Sequence, residues 1–210
     1  MIEVFVLDDH PIVRQGLEKI LEEEADMRVT GQAGTYQEFM ELLESRKPDV
    51  IILDITMPDR SGLDVLKDLK AMYPDIPVLI MSVHDEKHFA TRTIKSGAAG
   101  YLNKMSVSDE LVTAIRRVVG GRKYISLKVA EQLAEELDKP TDGMPHEALS
   151  DREFQVMCMI ASGMKSKEIA DQLGISSKTV STYRERLLGK MGMRTNTELA
   201  HYAVKNNIIE

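Results

Sequence analysis

Runs rich in valine and isoleucine recur through the first half of the chain, at Ile2 to Leu7, Val50 to Leu53 and Val78 to Met81, with weaker ones at Met27 to Ala33 and Gly100 to Leu102. Short apolar runs bounded by polar and turn-forming residues predict five strands. The segments between them space apolar residues three and four apart. This predicts helices over Ile12 to Glu23, Tyr36 to Ser45, Leu63 to Met72, Lys87 to Ser96 and Ser108 to Val119. Strict alternation of strand and helix predicts a doubly wound parallel sheet covered on both faces. In such sheets functional residues gather beyond the C-terminal strand ends, where the strand order reverses.

Beyond Gly120-Gly121 the pattern changes. Leu127 to Leu137 reads as one amphipathic helix, and Asp138-Lys139-Pro140-Thr141-Asp142-Gly143-Met144-Pro145 cannot continue it, so a flexible linker is expected there. Past it every segment is helical, with breaks at Gly163, Gly174, Gly192 and Thr195-Asn196, and no strand is expected. The chain thus divides into an α/β domain over residues 1–121, a linker helix and flexible linker over 122–148, and a small all-α domain over 149–210. There is no internal repeat or low-complexity tract.

Length agrees with this division, because 210 residues suffice for two domains that each bury a core. A hydrophobic content of 43% with 29% charged residues is that of a soluble globular protein. No apolar run approaches the roughly 20 residues of a membrane span. The first residues lack a basic start followed by a long apolar stretch, so no secretory signal is visible and a cytoplasmic location is expected. The only cysteine, Cys158, lies in an apolar run and reads as a buried structural thiol; an intrachain disulfide and a cysteine-based metal site are excluded. The net charge of -7 argues against nucleic-acid contact until it is divided along the chain. Residues 150 to 210 hold nine Lys/Arg and seven Asp/Glu, a balance of +2, which leaves -9 on residues 1 to 149. The acidic excess belongs wholly to the first part.

Asp8 and Asp9 follow the first predicted strand and Asp54 follows the third, so a parallel sheet brings three carboxylates to one edge. Clustered like charges demand a cation. Oxygen donors, with no His or Cys expected nearby, fit Mg²⁺. Lys104, beyond the fifth strand, supplies a second positive charge, and Ser82, ending the fourth, a hydroxyl. Together these are the parts needed for phosphoryl transfer to a carboxylate, with Asp54 the candidate nucleophile. The plainer alternative is that acidic residues at strand ends cap helices, as Asp8 or Asp9 would before Pro11. It explains one Asp but not five polar groups at four strand ends.

Residues 1 to about 121 resemble the receiver domain of response regulators. The resemblance rests on Asp8-Asp9, Leu53-Asp54-Ile55-Thr56-Met57-Pro58, Gly62, Ser82, Gly97-Ala98-Ala99-Gly100-Tyr101 and Lys104. It implies a flavodoxin-like fold with Asp54 as phosphoacceptor. It also implies Asp9, Asp54 and the Thr56 carbonyl as direct Mg²⁺ ligands, Asp8 acting through water, and Lys104 and Ser82 on the phosphoryl group. Tyr101 matches the aromatic switch residue of these domains, which turns inward as the fourth-strand hydroxyl moves toward the phosphate; an ordinary half-buried strand tyrosine is the other reading. Ser82 and Tyr101 would bias the surface around the fourth and fifth helices, including Val83 to Ala90. Many receivers follow this lysine with a cis proline; here Met105 follows Lys104, and a cis bond is not expected.

In the second domain Ser150 and Glu153 form a capping-box signature for a helix through Ala161. Ser166 to Leu173, the turn Gly174-Ile175-Ser176 and a helix from Ser177 to Met191 make a helix-turn-helix. Its shared core is Ile169, Ala170, Leu173, Ile175, Val180, Leu187 and Leu188, while Lys178, Ser181, Thr182, Arg184 and Glu185 face outward. Four basic residues against one acidic over Ser177 to Met191 suit the major groove, although a basic helix face is also an ordinary solvated one.

Residues 149 to 210 resemble the LuxR-type helix-turn-helix through Leu149-Ser150-Asp151-Arg152-Glu153, Ile160-Ala161-Ser162-Gly163, Lys167-Glu168-Ile169-Ala170, Leu173-Gly174-Ile175-Ser176 and Lys178-Thr179-Val180-Ser181. With the receiver, the whole chain resembles a response regulator of the NarL/FixJ family. This implies base contacts from Ser181, Thr182 and Glu185, and phosphate contacts from Lys178, Thr179, Tyr183, Arg186 and Lys190. Glu185 either accepts from a cytosine amino group or disfavours wrong sites. The last helix, near Asn196 to Lys205, resembles one that pairs subunits, with Leu199, Tyr202 and Ala203 as dimer contacts or, equally, as core.

The implied function is a transcription factor switched by phosphate from a sensor histidine kinase, binding double-stranded DNA as a homodimer and catalysing only its own phosphorylation and dephosphorylation. One rival is a haloacid-dehalogenase-like phosphatase, but such enzymes carry a second Asp two positions after the nucleophile, where this chain has Thr56. The other is a phosphorylation-independent DNA binder with a vestigial receiver, weakened because every expected acidic and phosphate-contacting position is filled.

Overall fold

Val4 and Val6 face one side of the first strand and Phe5 and Leu7 the other, and all four are buried. Val50 with Ile52, and Ile51 with Leu53, repeat the pattern in the third strand. Strands buried on both faces belong to a parallel sheet sandwiched by helices. The computed structural model of the chain has that architecture. It describes residues 1–57, 60–82, 86–104, 107–137, 144–206, 208 and 209, with side chains at all of these except 86–88, 108, 109, 128, 132 and 135–137.

Strands β1 (Ile2–Leu7), β2 (Met27–Ala33), β3 (Val50–Asp54), β4 (Val78–Ser82) and β5 (Gly100–Asn103) form one parallel sheet in the order β2-β1-β3-β4-β5. Helices α1 (Pro11–Glu22), α2 (Tyr36–Ser45), α3 (Gly62–Met72), α4 (Glu86–Lys95) and α5 (Val107–Val119) connect or follow the strands. One core joins Val4, Val6, Val50, Ile52, Leu79, Met81 and Leu102 to Leu17 and Leu21 of α1 and to Leu111, Ala114, Ile115 and Val118 of α5. On the other face Phe5 meets Phe39 of α2 edge to face, with ring centroids 6.2 Å apart. Burying side chains of this size stabilises by roughly 1.5–3 kcal/mol each, which locks the sheet and its C-terminal edge in register.

Two features go beyond the sequence reading. Tyr124 bridges β5: it accepts from Tyr101 N and donates to Ala99 O, so the edge strand is partly covered. Gly100 is required there, because a Cβ would lie 2.6 Å from the Tyr124 carbonyl oxygen. Helix α6 (Leu127–Leu137), read in sequence as a linker helix, packs against α4 within a compact unit of Met1–Leu137. The expected flexible linker falls mostly on 138–143, outside the described residues.

The second unit, Asp138–Glu210, begins its described part with a 3-10 turn at Pro145–Ala148. It continues through α7 (Asp151–Ala161), α8 (Ser166–Gln172), α9 (Ser177–Met191) and α10 (Asn196–Lys205), with no strand among its described residues. Ser150 caps α7 in the expected box: its hydroxyl accepts from Glu153 N and Glu153 Oε2 accepts from Ser150 N at 2.7 Å. Gly174, in the turn before α9, and Gly192, closing α9, hold φ of 62° and 66°, conformations that favour glycine. Ile169, Leu173, Val180 and Leu187 have no exposed surface and Ala170 and Leu188 are buried, while Ile175 is only half-buried. Cys158 is buried, as its apolar setting predicted.

Candidate functional site

Because β1 and β3 are neighbours where the strand order reverses, their C-terminal ends deliver Asp8, Asp9 and Asp54 to one crevice. Asp54 is the last residue of β3, paired with Met81, rather than the first after it. Asp8 and Asp54 are 0% and 1% exposed. Lys104, just past β5, donates from Nζ to Asp8 Oδ2 at 2.7 Å and to Asp54 Oδ2 at 2.8 Å. Thr56 N donates to Asp54 Oδ1 at 3.0 Å, and the fully buried Ser82 ends β4 beside them. The five polar groups expected at the strand ends therefore stand at one edge.

Burial is the largest influence on Asp54 and pushes its carboxyl up to about 6; the Lys104 ammonium works against this and Asp8 adds to it. Burial also works to lower the Lys104 ammonium, but Asp54 and Asp8 outweigh it and hold Lys104 above its ordinary value. One lysine thus serves two carboxylates, with Asp9 a third beside them, and the crevice retains excess negative charge. Asp9 Oδ1 is buried and accepts no hydrogen bond. One donor atom from each of Asp8, Asp9, His10 and Asp54 lies within 4.8 Å of the others, a grouping that can hold a metal ion. Uncompensated buried carboxylate oxygens are the donors a hard divalent cation takes.

One expectation needs correction, and one alternative falls away. No histidine was expected near the carboxylates, yet His10 Nδ1 stands 2.9 Å from Asp9 Oδ1 and 3.3 Å from Asp8 Oδ1. Its place was visible in the order Asp9-His10-Pro11, since a helix starting at Pro11 leaves residue 10 at the same edge. Nor does Asp8 or Asp9 cap α1: the N-cap residue is His10, and Asp8 Oδ1 instead accepts from His10 N at 2.8 Å. Gly62, seen in sequence only as part of a motif, lies so close that a Cβ would stand 2.4 Å from Asp54 O. Tyr101 is 3% exposed, on the opposite face of β5 from the core residue Leu102. Pro58, Val83 to Asp85 and the Lys104–Met105 peptide lie outside the described residues.

On α9, Lys178, Ser181, Thr182, Glu185, Arg186 and Lys190 are exposed, and Thr179 and Tyr183 half-buried. Ser181 Oγ and Thr182 Oγ1 donate back to the carbonyls of Ser177 and Lys178, leaving their lone pairs outward. Two cations expected to face outward are engaged. Lys190 Nζ donates to Glu153 Oε2 at 2.6 Å, and half-buried Arg184 donates to Asn196 Oδ1 at 2.6 Å. Burial pushes the Glu153 carboxyl up, but Lys190 and the Ser150 N–H outweigh it and keep Glu153 below the usual range. Arg152, buried in α7, donates to Leu173 O at the end of α8 and so braces the turn. Leu199 and Ala203 are fully buried in this unit, which makes them core rather than dimer contacts; Tyr202 is half-buried against His146 Nδ1 at 2.7 Å.

A parallel sheet with a carboxylate crevice, and a separate helix-turn-helix unit, mark a two-domain regulatory protein. Residues 4–116 match the family model of the response regulator receiver domain, and residues 147–203 that of bacterial regulatory proteins, luxR family. The chain belongs to the NarL/FixJ family of two-component response regulators, DNA-binding transcription regulators that join these two domains. It is 39% identical over 211 residues to Response regulator GacA of Pseudomonas aeruginosa, across 100% of this chain and 99% of that protein. It is 34% identical over 209 residues to Response regulator UvrY of Escherichia coli K12, across 99% and 96%. Among solved structures, the two-component response regulator RcsB in its DNA complex is 25% identical, with a TM-score of 0.60 over 97% of this chain and 98% of that one. No described helix is long and apolar enough to cross a membrane.

Proposed function

We propose that Asp54 is the phosphoacceptor of a cytoplasmic regulator whose receiver, residues 1–121, controls a DNA-binding domain at 149–210 through the connector at 122–148. The observation that carries this reading is the convergence of Lys104 Nζ on both Asp54 and Asp8, at a sheet edge where three carboxylates outnumber the one lysine. An Asp54 oxygen bonds to phosphorus as the donor's P–N bond breaks, and the electron pair leaves on the imidazole of a sensor histidine kinase. Lys104 and Ser82 contact the phosphoryl oxygens. Asp9, Asp54 and the Thr56 carbonyl would hold Mg²⁺, with Asp8 acting through water, and the bound ion would supply positive charge against the carboxylates and the incoming phosphoryl group. The chain's catalysis is confined to accepting and releasing this group.

Phosphorylation adds close to two negative charges at the sheet edge and shifts an existing equilibrium through Ser82 and Tyr101. Ser181, Thr182 and Glu185 meet base edges, while Lys178, Thr179, Tyr183 and Arg186 meet phosphates of double-stranded DNA bound by a homodimer. Lys190 joins the phosphate-facing set only on leaving Glu153. The test is intact mass with Mg²⁺ and acetyl phosphate, followed by DNA binding on the same samples. A labile adduct abolished by Asp54→Ala, with tighter DNA binding by the modified chain, is expected. DNA binding without any adduct overturns the switch in favour of a phosphorylation-independent regulator.

A further inference from the structure

The acidic crevice contains a nitrogen donor beside its oxygen donors. His10 ends the turn between β1 and α1, and the bond from its N–H to Asp8 Oδ1, 2.8 Å long, fixes the backbone so that the ring stands over the carboxylates. Nδ1 faces Asp9 Oδ1 at 2.9 Å and Asp8 Oδ1 at 3.3 Å. The ring makes no capping bond to α1 and is 60% exposed, so the core does not hold it in this place. Asp9 Oδ1, the oxygen nearest the ring, is itself buried, and its contact with Nδ1 has ion-pair distance without hydrogen-bond geometry.

We propose that His10 is a ligand of the divalent ion bound in this crevice, and that it shifts the preference of the site from Mg²⁺ toward first-row ions that take imidazole, such as Co²⁺, Ni²⁺ and Zn²⁺. This rests on the reading of the crevice as a divalent-cation site. The geometry fits: bonds of about 2.1 Å put adjacent ligands of an octahedral ion about 3 Å apart and opposite ones about 4.2 Å apart, and His10 Nδ1 stands 2.9 Å from Asp9 Oδ1, with an Asp54 donor atom within 4.8 Å of both and Asp8 left to act through water. A few tenths of an ångström of ring rotation or carboxylate adjustment closes the set. Mg²⁺ gains little from imidazole, whereas affinity for nitrogen-containing sites rises through Co²⁺ and Ni²⁺. Oxygen donors alone also favour these ions over Mg²⁺, so the discriminating quantity is the dependence of the preference on His10. Removing the ring should weaken Co²⁺ binding far more than Mg²⁺ binding.

The test is calorimetric titration of Mg²⁺ and Co²⁺ into the full chain, into His10→Ala and into Asp54→Ala, together with pulsed electron paramagnetic resonance of the Mn²⁺-loaded protein. Asp54→Ala identifies binding in the crevice, since the chain has five histidines in all. His10→Ala is expected to lower crevice Co²⁺ affinity at least tenfold and Mg²⁺ affinity less than threefold. Bound Mn²⁺ should show nitrogen-14 modulation that is absent from His10→Ala. Equal loss for both ions, stronger binding by His10→Ala, or Mn²⁺ bound without nitrogen modulation each overturns the ligand assignment while leaving the crevice a metal site. Failure of the full chain to bind either ion overturns the cation reading, and the assignment with it.

Discussion

In the acidic crevice, side chains carried on β1, on β3 and past β5 meet within hydrogen-bonding distance, and the residues supplying them are separated by as many as 96 positions. Along α9 the functional candidates radiate from a single cylinder, and several turn to partners of their own: Ser181 and Thr182 to the helix backbone, Lys190 to α7, Arg184 to α10. Convergence at the crevice concentrates charge in a dry setting, where each group alters its neighbours. The helix instead presents groups that change little until a ligand arrives. Substitutions in the crevice should therefore be strongly coupled, and those on the helix face nearly additive.

The harshest way to break the crevice is to move its backbone. In Gly62→Ala the new Cβ would overlap Asp54 O at 2.4 Å and Ile55 Cα at 2.5 Å, contacts with main chain that cannot swing aside. We expect a loss of about 3 kcal/mol or more in the urea unfolding of the full chain, with labelling by acetyl phosphate reduced to background. Lys104→Met keeps the stem and removes the charge. Its expected effect is a labelling rate lower by roughly 10² to 10³, read by time-resolved intact mass, with little change in DNA affinity before labelling.

Electrostatics gives a further, smaller effect. The Asp54 pKa of about 6 in the folded chain exceeds the ordinary 3.8, so the folded state holds this proton more tightly than the unfolded state. The associated stability is fully present below pH 3.8 and is lost as pH rises through 6. Without divalent ions, the difference in unfolding free energy between wild type and Asp54→Asn should grow against wild type across that window, reaching on the order of 2–3 kcal/mol. A flat difference curve would show that Lys104 fully compensates the buried charge.

The smallest expected effect separates the two kinds of α9 cation. Lys178→Ala should weaken DNA binding by about 1 kcal/mol and reduce the salt slope by about 0.9, as one lost phosphate contact does. Lys190→Met should leave that slope unchanged and instead lower the stability of the helical unit by about 1 kcal/mol or less, since Lys190 is 43% exposed. A salt slope that falls equally in both would show that Lys190 leaves Glu153 on binding DNA.

Sequence carried the crevice well because strand ends and a parallel topology suffice to bring Asp8, Asp9, Asp54, Ser82 and Lys104 together. It carried the α7 cap through Ser150 and Glu153 and the breaks at Gly174 and Gly192 for a similar reason: each depends on local backbone chemistry. The partners of Lys190 and Arg184 were not legible, because which exposed cation folds back depends on how α7, α9 and α10 cross. Leu199 and Ala203 remained ambiguous for the same cause, since an apolar helix face looks alike whether it covers its own core or a second subunit. His10 differs: its position is readable from the order Asp9-His10-Pro11, but as the last residue of the turn and the N-cap of α1 it stands two residues beyond the strand-end carboxylate Asp8.

The backbones of β5 and β3 lie two interstrand gaps apart, roughly 10 Å, so the Lys104 stem, its 2.8 Å hydrogen bond and the Asp54 side chain together close the distance across the end of β4, where Ser82 has no exposed surface. Residue 82 thus sets the clearance beneath a molecular bridge. A side chain as broad as leucine would lift the ammonium off its far abutment while Asp54 stayed where it is, so the tolerable bulk at this position is gauged by the distance a lysine can span.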